Sequence, residues 1–251
     1  VQTCALPISG GAITISSNLS ETIDQRSYAF EGGIVGLGAS VSVMNVRSTS
    51  QAFLADGTIV DKAASVAINA VTSERLTAKS LGAQVGAVAG GASFSRVRVS
   101  NDGVTDTYAG IGKNARVGTG VGTVGSITVK ALSRVAVVMD TFACAGGAVA
   151  VEFNFAFADV MPDVRAEIGA GSIVKSSGDV GVYATTDHDA ATQVKSVTLG
   201  IAAVGVSYAQ ANLAPTVSAT VAGEVGAQGG VTVVSGFNID PFTLGPVHTV
   251  A

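Results

Sequence analysis

A short strand-like tripeptide recurs along this chain: Ile13-Thr14-Ile15, Val66-Ala67-Ile68, Ile127-Thr128-Val129, Val180-Gly181-Val182 and Val231-Thr232-Val233. Successive starts lie 53, 61, 53 and 51 residues apart. Gly or a small polar residue precedes each one, as in Gly10-Gly11, Gly178-Asp179 and Gly229-Gly230. Ser17, Ala70, Ala131, Ala184 or Ser235 stands four positions after each start. Self-similarity at a nearly fixed period marks a repeat architecture. A unit of about 52 residues cannot bury an apolar face alone, but stacked on its copies it can.

The inner parts of the units agree as well, most clearly in the stretch Gly200–Val221. The position 28 residues after each start holds Val41, Phe94, Phe155 and Tyr208, preceded by Ser40, Ser93, Asn154 and Ser207. Large apolar beside small polar is strand alternation. Size alone puts the Val41/Phe94/Phe155/Tyr208 row inside, with Phe155 buried, and the Ser40/Ser93/Asn154/Ser207 row on the other face. Ala52, Ala109, Ala166 and Ala219 also correspond, as do Leu54, Ile111, Ile168 and Val221, and Gly57 and Gly171 lead into Ile59-Val60 and Ile173-Val174. The second unit is longer by about eight residues, accommodated at the turn-rich stretches Ser100–Asp106 and Gly118–Thr123.

No segment sustains a helical period. Thr185–Val197, rich in Thr, Val and Asp, reads as strand or loop. Only 5% of residues are aromatic, Trp is absent, and Gly numbers 32, so the core must be thin and closely layered. The expected fold is all-β: a β-solenoid of about 52 residues per repeat. Its units lie near 13–65, 66–126, 127–179, 180–230 and a partial fifth at 231–251, forming one array over 9–251. A stack of antiparallel hairpins folding back at Pro162 and Pro215 gives the same alternation and is the alternative.

Residues 1–8, VQTCALPI, match nothing that follows and look like translated sequencing adapter. They are expected to be a non-native tail whose removal leaves stability unchanged. Without Cys4 there remains only Cys144, so no intrachain disulfide is expected. The net charge is −4 and Lys and Arg do not cluster, which argues against nucleic acid as a partner. The most apolar stretch, Phe142–Met161, is interrupted by Glu152, Asn154 and Asp159, so a membrane-spanning helix is not expected. A membrane barrel would carry aromatic girdles, for which this chain is too poor in aromatics.

The pattern from Ala203 to Val221 (AVGVSYAQANLAPTVSATV), followed by a Gly-bounded turn and Gly230-Val231-Thr232-Val233, resembles the repeats of very large bacterial surface proteins, the filamentous-haemagglutinin-like and leukotoxin-type adhesins. The resemblance covers nearly all of Ser9–Ala251. Three units depart from its Pro-Thr-Val element: Ser48-Thr49-Ser50 replaces it in the first, a longer loop in the second, and Asp163 takes the Thr place in the third. The resemblance implies a secreted, surface-displayed protein with an adhesive or stalk role and an unknown host or surface ligand. A β-helical carbohydrate-active enzyme and a purely structural spacer are the alternatives, the enzyme requiring acidic residues gathered in one groove.

No catalytic, cofactor-binding or metal-ligating residue emerges, and no cofactor or enzyme activity is expected. Asp187-His188-Asp189 is the densest polar set, but His248 is sixty residues away and other units lack the set, so it reads as a polar loop tip. Asn101-Asp102-Gly103 with Asp106 lacks the spacing of a calcium loop and reads as a turn. Gly118–Gly122 lacks the Lys-Ser/Thr ending of a phosphate loop. Cys144 corresponds to Phe30, Ala83 and Val197, which suggests a small buried hydrophobe.

Overall fold

A computed structural model describes residues 10–100, 103–120 and 122–239. Among these there is no helix. The strands come in successive sets of four. The first set is β1 (Ala12–Gly32), β2 (Val35–Val46), β3 (Ser50–Leu54) and β4 (Ile59–Val60). The second is β5 (Ala63–Val85), β6 (Val88–Val99), β7 (Thr107–Ile111) and β8 (Arg116–Val117). The third is β9 (Val124–Gly146), β10 (Val149–Val160), β11 (Asp163–Ile168) and β12 (Ile173–Ser176). The fourth is β13 (Val180–Leu199), β14 (Ala202–Leu213), β15 (Thr216–Val221) and β16 (Glu224–Ala227), and β17 (Val231–Phe237) follows.

Each strand pairs in parallel with its counterpart in the next set. Ile13 faces Val66, Val66 faces Ile127, Ile127 faces Val180 and Val180 faces Val231. The long strands and the short β4, β8, β12 and β16 form one sheet, β2/β6/β10/β14 a second, and β3/β7/β11/β15 a third. This stacking is compatible with a β-helix or solenoid. Every pairing among the described residues is parallel, which rules out the antiparallel hairpin stack. Pro162 and Pro215 stand at corners that continue the ladder, since the Thr216 amide donates to the Pro162 carbonyl at 2.9 Å. Proline is tolerated there because no ladder donor is needed from it.

The long strands run the full width of the molecule, and the two other sheets lie opposite their two halves. The first half meets the third sheet. Ile68, Val129 and Val182 pack there against Leu54, Ile111 and Ile168 in the main apolar cluster. The outer side of that third sheet is polar: Tyr108 donates to Glu167 at 3.0 Å, and Arg165 is ion-paired with Glu167. Next along, Leu76, Ala78, Val137 and Met139 meet Val97, Val99, Ala158 and Val160. The chain then turns at Gly33-Ile34, Gly86-Ala87, Gly147-Ala148 and Gly200-Ile201. Stacking forces glycine at these corners: a Cβ on Gly147 would run into the carbonyl oxygen of Gly86, and one on Gly200 into that of Gly147.

Near these glycine turns the faces are reversed from the sequence expectation. Ser40, Ser93 and Asn154 are fully buried, while Val41 and Tyr208 are more than half or half exposed and Phe94 and Phe155 are only partly covered. The register of the rows is as expected, but their inside and outside are exchanged. The reason is strand parity. Val46, Val99 and Val160 point into the core, and counting back in steps of two reaches Ser40, Ser93 and Asn154, not their larger neighbours.

The two loops that lengthen the second set lie between β6 and β7 and between β8 and β9, at residues 100–106 and 118–123. Residues 1–8 lie outside the described residues.

Candidate functional site

Three groups of polar residues bear on chemistry, two of them placed largely by strand parity and the third by a loop. The first is a belt buried between the two apolar clusters. Ser50 donates to Ser17 Oγ at 3.0 Å, and the hydroxyls of Thr72 and Thr107 are 2.7 Å apart. Ser48 donates to Glu21 Oε2 at 3.1 Å. Glu21 and Glu74 occupy adjacent places in one inward row. Burial raises the Glu74 carboxyl above its ordinary value, and the charges of Glu21 and Asp106 push the same way against the Ser48 hydrogen bond. Asp106 is buried too. Loss of water pushes its carboxyl up to about 6, although the Asp163 amide donates to Oδ2 at 2.6 Å and favours the ionised form.

Asp187-His188-Asp189 lies within β13, not at a loop tip. Alternation sends His188 inward, where it is 2% exposed, and leaves Asp187 and Asp189 on the outer side. His188 Nε2 is 3.1 Å from Ser133 Oγ, and Asn238 clamps the His188 backbone: its Oδ1 accepts from the amide at 2.8 Å and its Nδ2 donates to the carbonyl at 3.2 Å. Burial lowers the imidazole to about 4, against the small opposing pull of Asp187, so the ring is neutral at pH 7. On the outer side Arg134 and Asp187 are 3.9 Å apart, in a shallow depression shared with Arg75 and Asp189. Glu21, Glu74 and Asp106 face the interior, while Asp187 and Asp189 stand on the other side of the sheet. No cluster of three or more His, Cys, Asp or Glu able to hold a metal exists among the described residues.

The second group fills the interior at the glycine turns. Gln84, Glu152 and Asn154 are fully buried. They fit because each long side chain faces a small one. Gln84 lies against Gly91 and Gly38, and Thr198 against Gly205, while Glu152, in the same row as those glycines, corresponds to Ala145 on the opposite strand set. Thr198 donates to Glu152 Oε2 at 3.2 Å, and Asn154 donates to the Lys195 carbonyl at 2.8 Å. Both polar atoms of the Gln84 amide and Glu152 Oε1 have no hydrogen-bond partner in the protein. Burial raises the Glu152 carboxyl above its ordinary value, opposed by the Thr198 hydroxyl.

The third group is the loop Gly118–Gly122, whose described residues border a polar surface depression with Lys175, Ser176 and Gln228. Gly118 adopts a φ of 69°, a turn conformation, and β9, not a helix, follows. Asn101 and Asp102 lie outside the described residues, as does His248. Cys144 is on the outward side of β9 and half-buried, between Ala83 and Val197 in its row, so it is not a core residue. Burial nevertheless raises its thiol above the ordinary value, with Glu152 adding to the shift.

No family model matches the chain, and no curated protein or solved structure does either. No helix among the described residues is long and apolar enough to cross a membrane.

Proposed function

We propose that this chain is part of a secreted, surface-displayed repeat protein with an adhesive or stalk role, built as a β-solenoid of about 52 residues per coil. In this reading four coils and the start of a fifth stack along one axis, and the chain has no enzymatic step. The observation that carries it is the unbroken parallel ladder from β1 through β5, β9 and β13 to β17. Such a ladder passes load along the axis through backbone hydrogen bonds and repeats the same outward rows at each level. The burial of Glu74, Asp106 and Glu152 between the sheets supports a structural part.

Two measurements test it. Inserting a second copy of residues 127–179 should lengthen the particle by about 4.8 Å in small-angle scattering, with an unchanged cross-section. A change in cross-section would overturn the coil. Beads coated with the chain should be retained on epithelial cell layers or matrix-coated surfaces under flow. Retention no better than that of albumin-coated beads would remove the adhesive role and leave the spacer.

A further inference from the structure

The outer face of the second sheet is flat and largely apolar. Leu37 is 66% exposed there and Phe153 44%. Its rows run across the four sets. One holds Leu37, Gly90, Val151 and Val204, the next Ala39, Ala92, Phe153 and Val206, and the next Val41, Phe94, Phe155 and Tyr208. Apolar area this continuous on a protein surface marks an interaction site. The outward rows of the sheet, from Val35 to Asn45 on β2, cover roughly 750 Å² at 4.8 Å per strand and 3.3 Å per residue. Each partner in a stable complex buries about 800 Å².

The two halves of this face are not alike. In the first two sets small residues leave a shallow depression at Ala39, Gly90 and Ala92. In the same rows the last two sets carry the larger Val151, Phe153 and Val206. Charge divides in the same way. The row farthest from the glycine turns has Arg98 in the second set and Asp159 in the third, between Asn45 and Asn212. In the row before it Arg96 stands beside Phe157. Relief and charge on one half therefore complement those on the other.

We propose that a second copy of the chain covers this face, related by a two-fold axis that runs along the strands between β6 and β10. That axis lays the second set of each copy over the third set of the other, with the rows in register. Phe153 then sits over the partner's Ala92, Val151 over the partner's Gly90 and Val206 over the partner's Ala39. Phe155 meets the partner's Phe94, and Phe157 meets the partner's Arg96, a cation over a ring. At the rim Arg98 meets the partner's Asp159. Within one chain Asp159 accepts from Arg96 at 3.1 Å, so two cations then share that carboxylate. A patch whose halves complement each other is what a closed two-fold contact requires. Packed sheets stand about 10 Å apart with their strands nearly aligned, as this axis leaves them. The open edges at β2 and β14 point along the sheet, and the Glu31 carboxylate belongs to the long strands, so both remain in water. This inference does not rest on the adhesive or stalk reading.

The test uses the full chain in analytical ultracentrifugation. At tens of micromolar, association should occur and should stop at two copies. Phe153→Lys, with its fold checked by circular dichroism, places a charge at the centre of the contact and should weaken the dimer about a hundredfold or more. Charge exchange tests the axis. Arg98→Asp and Asp159→Arg each set like charges across the interface, and each should dimerise more weakly than the wild type. Mixed in equal amounts, the two variants set opposite charges across it. Native mass spectrometry should then show the heterodimer about tenfold above either homodimer, where random pairing gives about twofold. Neighbours within each chain are the same in the mixture as alone, so the preference reads only the contact between chains. A wild-type chain that stays monomeric would overturn the proposal and leave the face to a different chain. Association that continues past two copies would overturn it in favour of end-to-end stacking through the open strand edges. A Phe153→Lys dimer of unchanged affinity, or random pairing of the charge variants, would overturn it as well.

Discussion

The same long strands build two unlike regions. Over their first half they face the third sheet, with Val, Ile and Leu inside and Tyr108, Arg165 and Glu167 outside. Over their second half they face the second sheet, first with Leu76, Val137 and Met139 against Val97 and Val160, and then, toward the glycine turns, with Ser80, Gln84, Asn154 and Glu152 inside and Val, Leu and Phe outside. No bulge separates the halves: β5 pairs with β1 without a break from Ser65 to Val85. Side-chain direction therefore keeps one parity throughout, and the chemistry changes sign beneath it. One region is held by apolar burial. The end at the glycine turns is held by its ladder and by small-against-large fitting, and it carries unpartnered buried polar atoms, each of which costs stability.

This contrast is sharpest in a pair of truncations. Ile68→Ala, in the fully buried row, should cost about 2–5 kcal/mol in chemical denaturation. Phe155→Ala, in the outward row, should cost less than about 1 kcal/mol, the scale of a cross-strand contact. Equal losses would erase the difference between the regions.

A second comparison probes the fitting at the glycine turns. A Cβ on Gly91 would collide with the Gln84 amide. Gly91→Ala should therefore cost about 1–3 kcal/mol. Adding Gln84→Ala should recover most of that loss, and a purely additive double variant would show that the two residues do not share the space.

A third concerns the polar belt between the regions. The Asp106 carboxyl is raised from 3.8 to about 6 in the folded chain, so the folded protein takes up this proton before the unfolded chain does. Its penalty is absent below the unfolded value and complete above the folded one. Stability of the wild type relative to Asp106→Asn should thus rise by roughly 1–2 kcal/mol as the pH falls from 7 to below 4, the full shift being reduced by partial screening. His188 acts in the opposite sense. Its lowered value makes the neutral ring contribute stability above about 6.5 that is lost as pH falls toward 4. Comparison with the variant isolates the Asp106 part, and a pH-independent difference would show that Asp106 is not buried.

The smallest effect belongs to the exposed Arg26–Asp24 pair at 2.7 Å. Arg26→Ala should leave the thermal midpoint within about a degree, as for other exposed ion pairs.

The sequence by itself determined the all-β class and the register of the recurring segments. The tripeptides at Ile13, Val66, Ile127, Val180 and Val231 are paired as their spacing requires, and the rows through Ser40 and Val41 align as read. Parity was legible too: inward Val46, Val99 and Val160 lie six residues from Ser40, Ser93 and Asn154, so the polar row had to face in. Size argued the other way for Phe94 and Phe155, and size is no guide where a large side chain has no opposite face to bury against. The inward places of Glu74 and His188 follow from the same count, whereas Asp106, in the loop before β7, is brought beside Glu74 by the fold. Only the tertiary structure decided which strand lies across from which. That choice sets whether an inward position meets Leu54 or Ser40, and so whether a given half of the strand buries hydrocarbon or encloses polar atoms.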